Sequence, residues 1–368
     1  MKRVLYVTTV SRTINAFLVP HILALREKGF QVDCACSIDK ELDKSLEKAG
    51  VKLYKIPFTR NPISLSNIRA FKMLDQIQKN NKYDIVHVHT PIASIYGRLL
   101  KLKHKGIKTI YTAHGYHFLE GGSKSSWLIY YPIEKVMAKL TDVTININKE
   151  DFKITQSKLK PKKSYYVKGV GLDLKNYKPL TEKEKVKKRK ELNLKEEDFI
   201  VIMIAEVNEN KNQIQLIKAM EILKEKYENI KAICVGDGEL LKQRKEDVKN
   251  KGLENNINFL GYRTDINELI NIADIGVLLS YREGLPRNIM EIMANGKKIV
   301  ATNIRGNRDL VCNENVGKLV EVGDYEETAK AIEYYYLNNT REVIIPKEIE
   351  PYSLPNVVEM VREIHEGV

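Results

Sequence analysis

Residues 275–302 read Ile275-Gly-Val-Leu-Leu-Ser-Tyr-Arg-Glu-Gly-Leu-Pro-Arg-Asn-Ile-Met-Glu-Ile-Met-Ala-Asn-Gly-Lys-Lys-Ile-Val-Ala-Thr302. The run 275–279 is apolar and short, as a buried strand is. After Gly284 and Pro286 the apolar positions fall at Ile289, Ile292 and Met293, which is helical spacing, and Asn295-Gly296 ends it. A second strand-like run follows at 298–302. Strand, helix and strand in this order make a βαβ unit, whose two strands lie parallel in one sheet. Gly284 permits a tight turn, and Pro286 suits the first helical position. Backbone N–H groups of residues 285–288 at the start of that helix form a seat for a phosphate, and Arg287 adds positive charge.

The same alternation extends in both directions. Apolar β-branched runs occur at 4–8, 32–36, 52–56, 85–89, 108–112, 143–147 and 164–167, with helical patterns such as 17–28, 68–79 and 92–103 between them. It pauses over 169–180 and passes a highly charged stretch at 181–197. It then resumes with strands at 200–205, 232–235, 257–260, 275–279 and 298–302. Continuous apolar strands separated by helices predict parallel sheets covered on both faces. The expected fold is α/β, with two doubly wound Rossmann-like domains at 1–172 and 173–351 facing across a cleft. The terminal helix, about 352–368, returns to the first domain. Ligands of such sheets bind beyond the carboxyl ends of the strands. The run Lys183-Glu-Lys-Val-Lys-Lys-Arg-Lys190 reads as a solvated helix face.

The chain has 368 residues, 43% hydrophobic and 30% charged, which suits two globular domains. No apolar run is long enough to span a bilayer, and the start runs directly into a strand with no secretory leader, so a cytoplasmic location is expected. Cys34, Cys36, Cys234 and Cys312 lack metal or redox spacing and read as buried free thiols. The net charge of +13 is uneven. Up to Lys178, 32 Lys and Arg stand against 14 Asp and Glu; beyond it, 29 stand against 34. An anionic partner for the first half follows, with a membrane surface as the candidate. The chain has one Trp and no aromatic-basic motif, which argues against nucleic acid.

Glu283 and Glu291 are eight residues apart. Even on one helix they would be ~12 Å apart, too far for the carboxylate pair of a glycosidase. They are expected to grip different parts of one elongated ligand. The segment resembles the Glu-x7-Glu motif of retaining glycosyltransferases of family four, which have the two-domain B-type fold. Arg282-Glu-Gly-Leu-Pro, Met293-Ala-Asn-Gly-Lys and Ala301-Thr-Asn-Ile-Arg-Gly-Asn look like its bacterial capsule and exopolysaccharide members. The resemblance covers essentially the whole chain. It implies a hexosyltransferase using a nucleotide diphosphate sugar, a UDP-sugar by expectation, with a glycan or a polyprenyl-diphosphate-linked acceptor. Glu291 would hold the ribose hydroxyls and Glu283 the donor-sugar hydroxyls. The backbone of Gly284, Leu285, Pro286 and Arg287 would lie near the phosphates. Lys211 stands where the family places a lysine on the pyrophosphate. The backbone around Tyr262 and Arg263 stands where the base is received. Glu206 occupies a position where many members carry Arg; it either faces away or pairs with Lys211. Val235-Gly-Asp-Gly is read as structural.

In the first half, Thr112-Ala-His-Gly-Tyr-His-Phe resembles the family's Thr-x-His-Gly segment, which assigns His114 to the donor sugar and the reacting centre and leaves His117 to the fold. The loop Thr9-Val-Ser-Arg-Thr-Ile-Asn-Ala-Phe lacks the glycines common there, and Arg12 and Asn15 are its candidates for phosphate or acceptor. Trp127, Tyr130 and Tyr131 read as packing aromatics. His87, His89, His114 and His117 form a rival metal cluster, weighed against the absence of carboxylate company and the family's freedom from a metal. No protein-held metal or other cofactor is expected. No nucleophile is paired with a base. Two other readings remain: another B-fold enzyme, such as an epimerase or a transferase to a small sugar phosphate, and a non-enzymatic basic module.

Overall fold

A computed structural model describes residues 1–339 and 343–368. They form two compact units, Met1–Gly171 with Leu354–Val368, and Leu172–Ser353. The first contains β1 (Arg3–Val10), β2 (Gln31–Ser37), β3 (Leu53–Lys55), β4 (Ile85–His89), β5 (Lys108–Ala113), β6 (Val143–Asn146) and β7 (Lys163–Tyr166). They pair in parallel in the order β3-β2-β1-β4-β5-β6-β7. The second contains β8 (Phe199–Ile204), β9 (Ile230–Val235), β10 (Ile257–Gly261), β11 (Ile275–Leu278), β12 (Lys298–Thr302) and β13 (Gly317–Val320), in the order β10-β9-β8-β11-β12-β13. Each sheet reverses its order once, between β1 and β4 and between β8 and β11. The carboxyl ends flanking those reversals are where doubly wound sheets bind ligands.

The reason the strands read as unbroken apolar runs is visible in the cores. Val4 and Tyr6 pack in one cluster and Leu5 and Val7 in another, because successive side chains leave opposite faces of β1. In β8, Ile200 and Ile202 face one core and Val201 and Met203 the other. Both faces of both sheets are covered, and each fully buried Val, Leu or Ile contributes about 1.5–3 kcal/mol. The elements that matter below are α1 (Val19–Glu27), α2 (Pro91–Lys103), α3 (Lys124–Ala138), α4 (Arg287–Ala294) and α5 (Leu354–Glu366). Helix α5 lays Val357, Val361 and Ile364 into the Val4–Tyr6 core of the first unit.

Several details differ from the sequence expectation. Strand β13 was not foreseen, because Gly317-Lys-Leu-Val is a four-residue edge strand with only its two ends buried. Residues 9–17 are not a loop: β1 runs to Val10, and Ser11–Thr13 and Ile14–Leu18 turn at once into helix. Buried Ser11 makes the joint, donating its hydroxyl to Asp39 Oδ1 at 2.9 Å. The helix Glu182–Glu191 is not solvated all round. Thr181 and Glu184 form its capping box, and Lys188 turns inward to Asp265 (2.7 Å) and Glu268 (2.5 Å). Cys34, Cys36 and Cys234 are buried, but Cys312 is exposed.

Candidate active site

In the second unit the site is built at the carboxyl ends of β8 and β11. The chain leaves β11 through Ser280, whose carbonyl accepts from Thr302 Oγ1 at 2.7 Å, so β12 holds the exit of β11. Tyr281 N donates to Asn210 O (2.8 Å), and Asn210 Nδ2 returns to Arg282 O (3.0 Å). These two bonds dock the short turn Glu209–Lys211 against residues 281–282. As a result Lys211 Nζ lies 2.5 Å from Glu283 Oε1, with side-chain exposures of 21% and 12%. Glu206 is exposed and accepts from Asn208 Nδ2 at 3.0 Å, so Lys211 pairs with Glu283 and Glu206 faces elsewhere.

The turn at Glu283-Gly284-Leu285 is held from behind. Arg305 Nε donates to Glu283 O at 2.7 Å, and a Cβ on Gly306 would stand 2.2 Å from Gly284 O. Only glycine at 306 lets that backbone approach. Pro286 is buried, with extended backbone (φ −76°, ψ 120°), and caps α4 instead of occupying its first turn. Its fixed φ suits both places, and the helix begins one residue later than its spacing suggests. Asn288 Nδ2 donates to Ile204 O at 2.6 Å, which fixes the start of α4 over the end of β8.

Glu291 lies in the second turn of α4 with a side-chain exposure of 15%. Its Oε1 accepts from Arg287 Nε and from the Tyr177 hydroxyl, both at 3.0 Å. Burial and the neighbouring Glu291 carboxylate raise the Tyr177 phenol to about 12, so it stays a donor. Among the described residues no hydrogen bond to Glu291 Oε2 is found. Arg287 therefore steadies Glu291 in this state. Tyr262, just past β10, is 78% exposed, and Arg263 makes a bidentate pair with Asp265 (2.8 and 2.6 Å). Gly236 N donates to Gly261 O at 2.8 Å, joining the ends of β9 and β10, in keeping with a structural role for the Val235-Gly-Asp-Gly turn. A cavity of about 470 Å³ bordered by Asp274, Lys297 and Lys298 lies at the amino ends of β11 and β12, away from this arrangement.

In the first unit His114 follows β5, half-buried, with Nε2 3.1 Å from His89 Nδ1. Burial, reinforced by His21, lowers its pKa to about 4, so the ring is neutral at physiological pH. Arg12 leans on Asp39, with Nε to Oδ2 at 3.4 Å, while most of its side chain is exposed. Both ends of the Asn15 amide are engaged, with Nδ2 on Glu41 O (2.7 Å) and Oδ1 on Asp43 N (3.0 Å). His117 is exposed beside Tyr130 at 4.7 Å between ring centroids, apart from the packed rings of His87, His89 and His114. Among the described residues no three His, Cys, Asp or Glu converge where a metal ion could sit. Trp127 packs on Phe118 at 5.0 Å and donates Nε1–H to Leu119 O at 2.9 Å, so it is a packing residue.

Sequence reasoning passed over Tyr177, Arg305 and Gly306. The last two stand inside a quoted motif, but Tyr177 lies in the pause between the two series and carries no local signal.

Residues 184–350 match the family Glycosyl transferases group 1, and residues 3–148 match Glycosyl transferase 4-like. EpsD of Bacillus subtilis, a protein that carries a glycosyltransferase name, is 33% identical over 338 residues, covering 91% of this chain and 87% of its own. The chain belongs to the group 1 glycosyltransferases. Another relative of this transferase is the Escherichia coli UDP-Gal:alpha-D-GlcNAc-diphosphoundecaprenol alpha-1,3-galactosyltransferase, at 29% identity over 84% of this chain and 80% of that one. HepE of Anabaena, solved in complex with UDP, superposes with a TM-score of 0.82 at 20% identity over 100% of both chains. WaaG, a glycosyltransferase involved in lipopolysaccharide biosynthesis, superposes with a TM-score of 0.75 at 15% identity, covering 99% of this chain and 100% of WaaG. At these identities the likeness concerns the fold, and the transferase has the B-type glycosyltransferase fold.

Proposed function

We propose that the transferase moves a hexose from a UDP-sugar to a saccharide on polyprenyl diphosphate, with retention at the anomeric carbon, in assembly of a cell-surface polysaccharide. The observation that carries this reading is the Lys211–Glu283 pair beside the start of α4, with Glu291 anchored in the second turn of that helix. The helix start and Lys211 suit a diphosphate. With no ligand, Lys211 and Glu283 neutralise each other. With donor bound, the lysine turns to the diphosphate and the carboxylate to sugar hydroxyls. Glu291, fixed through Oε1, offers Oε2 to the ribose. The relatives supply the substrate class: the E. coli protein is named for UDP-Gal and a diphosphoundecaprenol-linked acceptor, and a Campylobacter jejuni relative likewise for a diphospho-undecaprenol acceptor.

Retention is read from the resemblance to retaining glycosyltransferases of family four. In this reading the acceptor hydroxyl attacks C1 on the face the diphosphate vacates, with no covalent intermediate on the protein. The C1–O bond to phosphate breaks as the bond to the acceptor forms, and a phosphate oxygen takes the acceptor's proton. The protein contributes positioning and charge stabilisation. A lipid-linked acceptor calls for a membrane surface at the cytoplasmic face. Helix α3 supports one: Leu128, Ile129, Ile133 and Val136 are exposed, with exposed Lys124 and Lys139 at its ends, which is how an interfacial helix is composed. The deciding experiment offers a panel of UDP-sugars with polyprenyl-diphosphate-linked saccharides and reads the product anomer by NMR. An inverted product, or transfer to a sugar phosphate in preference, would refute the reading.

A further inference from the structure

Apart from α3, the first unit exposes Ile63, Leu65 and Ile68, at 87%, 79% and 48%. They sit where the chain leaves β3 through residues 56–64 and enters the helix Leu65–Asn81. This turn is tied down. Buried Asn67 accepts from Thr59 N at 2.9 Å and donates to Asn61 O at 2.8 Å, and Ser66 Oγ donates to Pro57 O at 2.6 Å. Ile63 and Leu65 are therefore held out in solvent by a braced loop, with no slack for local collapse to cover them.

The charge around them has one sign. Residues 49–74 contain Lys52, Lys55, Arg60, Arg69 and Lys72 and no carboxylate. No ion pair of Lys55, Arg60, Arg69 or Lys72 is found among the described residues, and all four are exposed. The nearest carboxylates along the chain are spent elsewhere: Asp75 on Lys79, Lys103 and His104, and Asp39 on Ser11 and Arg12. At the carboxyl ends of β2 and β3 lies a recess of about 340 Å³, walled by Ile38, Ile56, Pro57 and Met73, with Lys55 and Arg69 as its charged members. No carboxylate borders it. That end of a doubly wound sheet is where its ligands bind. Leu65, Arg69 and Met73 are four residues apart in turn on one helix, so the exposed leucine stands one turn above the recess on the same face.

We infer that this recess and loop bind the polyprenyl diphosphate of a lipid-linked acceptor. Lys55 and Arg69 take the diphosphate, and Leu65, with Ile63 and Ile68, lies along the start of the isoprene chain. Uncompensated cations around a recess, with apolar side chains one helical turn away, match one amphiphile with an anionic end and an apolar chain. Naming the acceptor rests on the proposed function; the complementarity to a polyprenyl diphosphate does not.

The probe is farnesyl diphosphate, a short soluble polyprenyl diphosphate, titrated into the full chain by calorimetry. UDP is kept at saturation so that the phosphate seat of the second unit is filled. Binding is expected, and Lys55→Ala with Arg69→Ala should weaken it roughly tenfold or more. Inorganic diphosphate should bind more weakly than the farnesyl compound. With a saccharide on polyprenyl diphosphate in neutral detergent micelles, the same double variant should raise the acceptor KM by a similar factor and hold kcat and donor KM within roughly twofold. Ile63→Ser with Leu65→Ser should also raise the acceptor KM. All four side chains are exposed, and thermal melts confirm folding. Absence of farnesyl diphosphate binding, equal binding by the Lys55–Arg69 variant, or equal affinity for inorganic diphosphate would overturn the inference. So would a defect confined to sedimentation with anionic phospholipid vesicles, which would make the patch a membrane contact. Binding that depends on Lys55 and Arg69, in a chain that transfers to no polyprenyl-linked saccharide, would keep the site and sink the proposed acceptor.

Discussion

Replacing Glu291 by Ala should weaken UDP binding by roughly ten- to a hundredfold. The carboxylate is mostly buried, and Oε1 is spent on Arg287 and Tyr177 at 3.0 Å each. A ribose bound at Glu291 would therefore meet a side chain already held in place, which would lose little rotamer entropy on binding. Hydrogen bonds to a charged group contribute about 1.5–3 kcal/mol net, and each 1.4 kcal/mol is tenfold in Kd. Tyr177→Phe removes one anchor and leaves Arg287, so its cost should be nearer about 1 kcal/mol. Glu291→Gln keeps the shape and an acceptor oxygen and should fall between the two. Isothermal calorimetry with UDP and no acceptor measures all three, with thermal melts to confirm folding. Unchanged affinity in a folded Glu291→Ala variant would refute the ribose assignment, and an effect of Tyr177→Phe as large as that of Glu291→Ala would refute the anchoring argument.

Other outcomes follow from the same geometry. Lys211→Ala should lower kcat by roughly two orders of magnitude, since leaving-group charge grows in the transition state; steady-state rates at saturating donor check it, and full activity would mean another cation serves the diphosphate. Activity should survive exhaustive chelation; loss restored by one particular metal would overturn the metal-free reading. His365 is fully buried with its pKa lowered to about 4 by burial, against 6.5 unfolded. A depressed histidine contributes stability that is complete above the unfolded value and is lost as pH falls from about 6.5 towards 4, by roughly 3 kcal/mol in all. Denaturant midpoints should drop over that window and drop less in His365→Leu; identical slopes would exclude His365. Vesicle sedimentation should show salt-sensitive binding that rises with anionic lipid content, weakened in Ile129→Glu. Equal, negligible binding to neutral and anionic vesicles at low salt would reject the membrane surface.

The two sheets were legible because the physics that makes a doubly wound sheet is local and repetitive. A strand buried on both faces is apolar along most of its length, as β8 is throughout and β1 is over 4–7, so the runs announce themselves, with His87 and His89 the polar departures in β4. The edge strand β13 has no such requirement and was missed. The segment after β1 is expected to be a loop because the family it resembles has one there. There the burial of Ser11 against Asp39 and Lys40, from 28 and 29 residues away, overrides local preference. Lys188 is the same case: nothing in a run of lysines shows which one has Asp265 beneath it, 77 residues on.

The candidate site divides along the same line. Glu283, Glu291 and Lys211 in the second unit, and His114 in the first, were reached through short motifs that resemble those of the family, where side-chain type is what can be recognised. The groups that aim them act through backbone atoms or across long separations. Arg305 grips a carbonyl 22 residues away, Asn210 a carbonyl 72 away, and Tyr177 reaches Glu291 from 114 away. A carbonyl has no residue type, so its partner leaves no pattern in the sequence. The histidine set makes the point most sharply. Two strand positions sharing a face, 87 and 89, suggested a metal, because paired imidazoles are what a metal site shows from sequence. What they pack against is His365, which is 278 residues beyond His87 and turns an Nε2 lone pair to that ring because Val361 O, one helical turn back, takes the proton on the other nitrogen. The direction of a hydrogen-bond chain is set at its terminus, and here that terminus lies on the last helix of the chain.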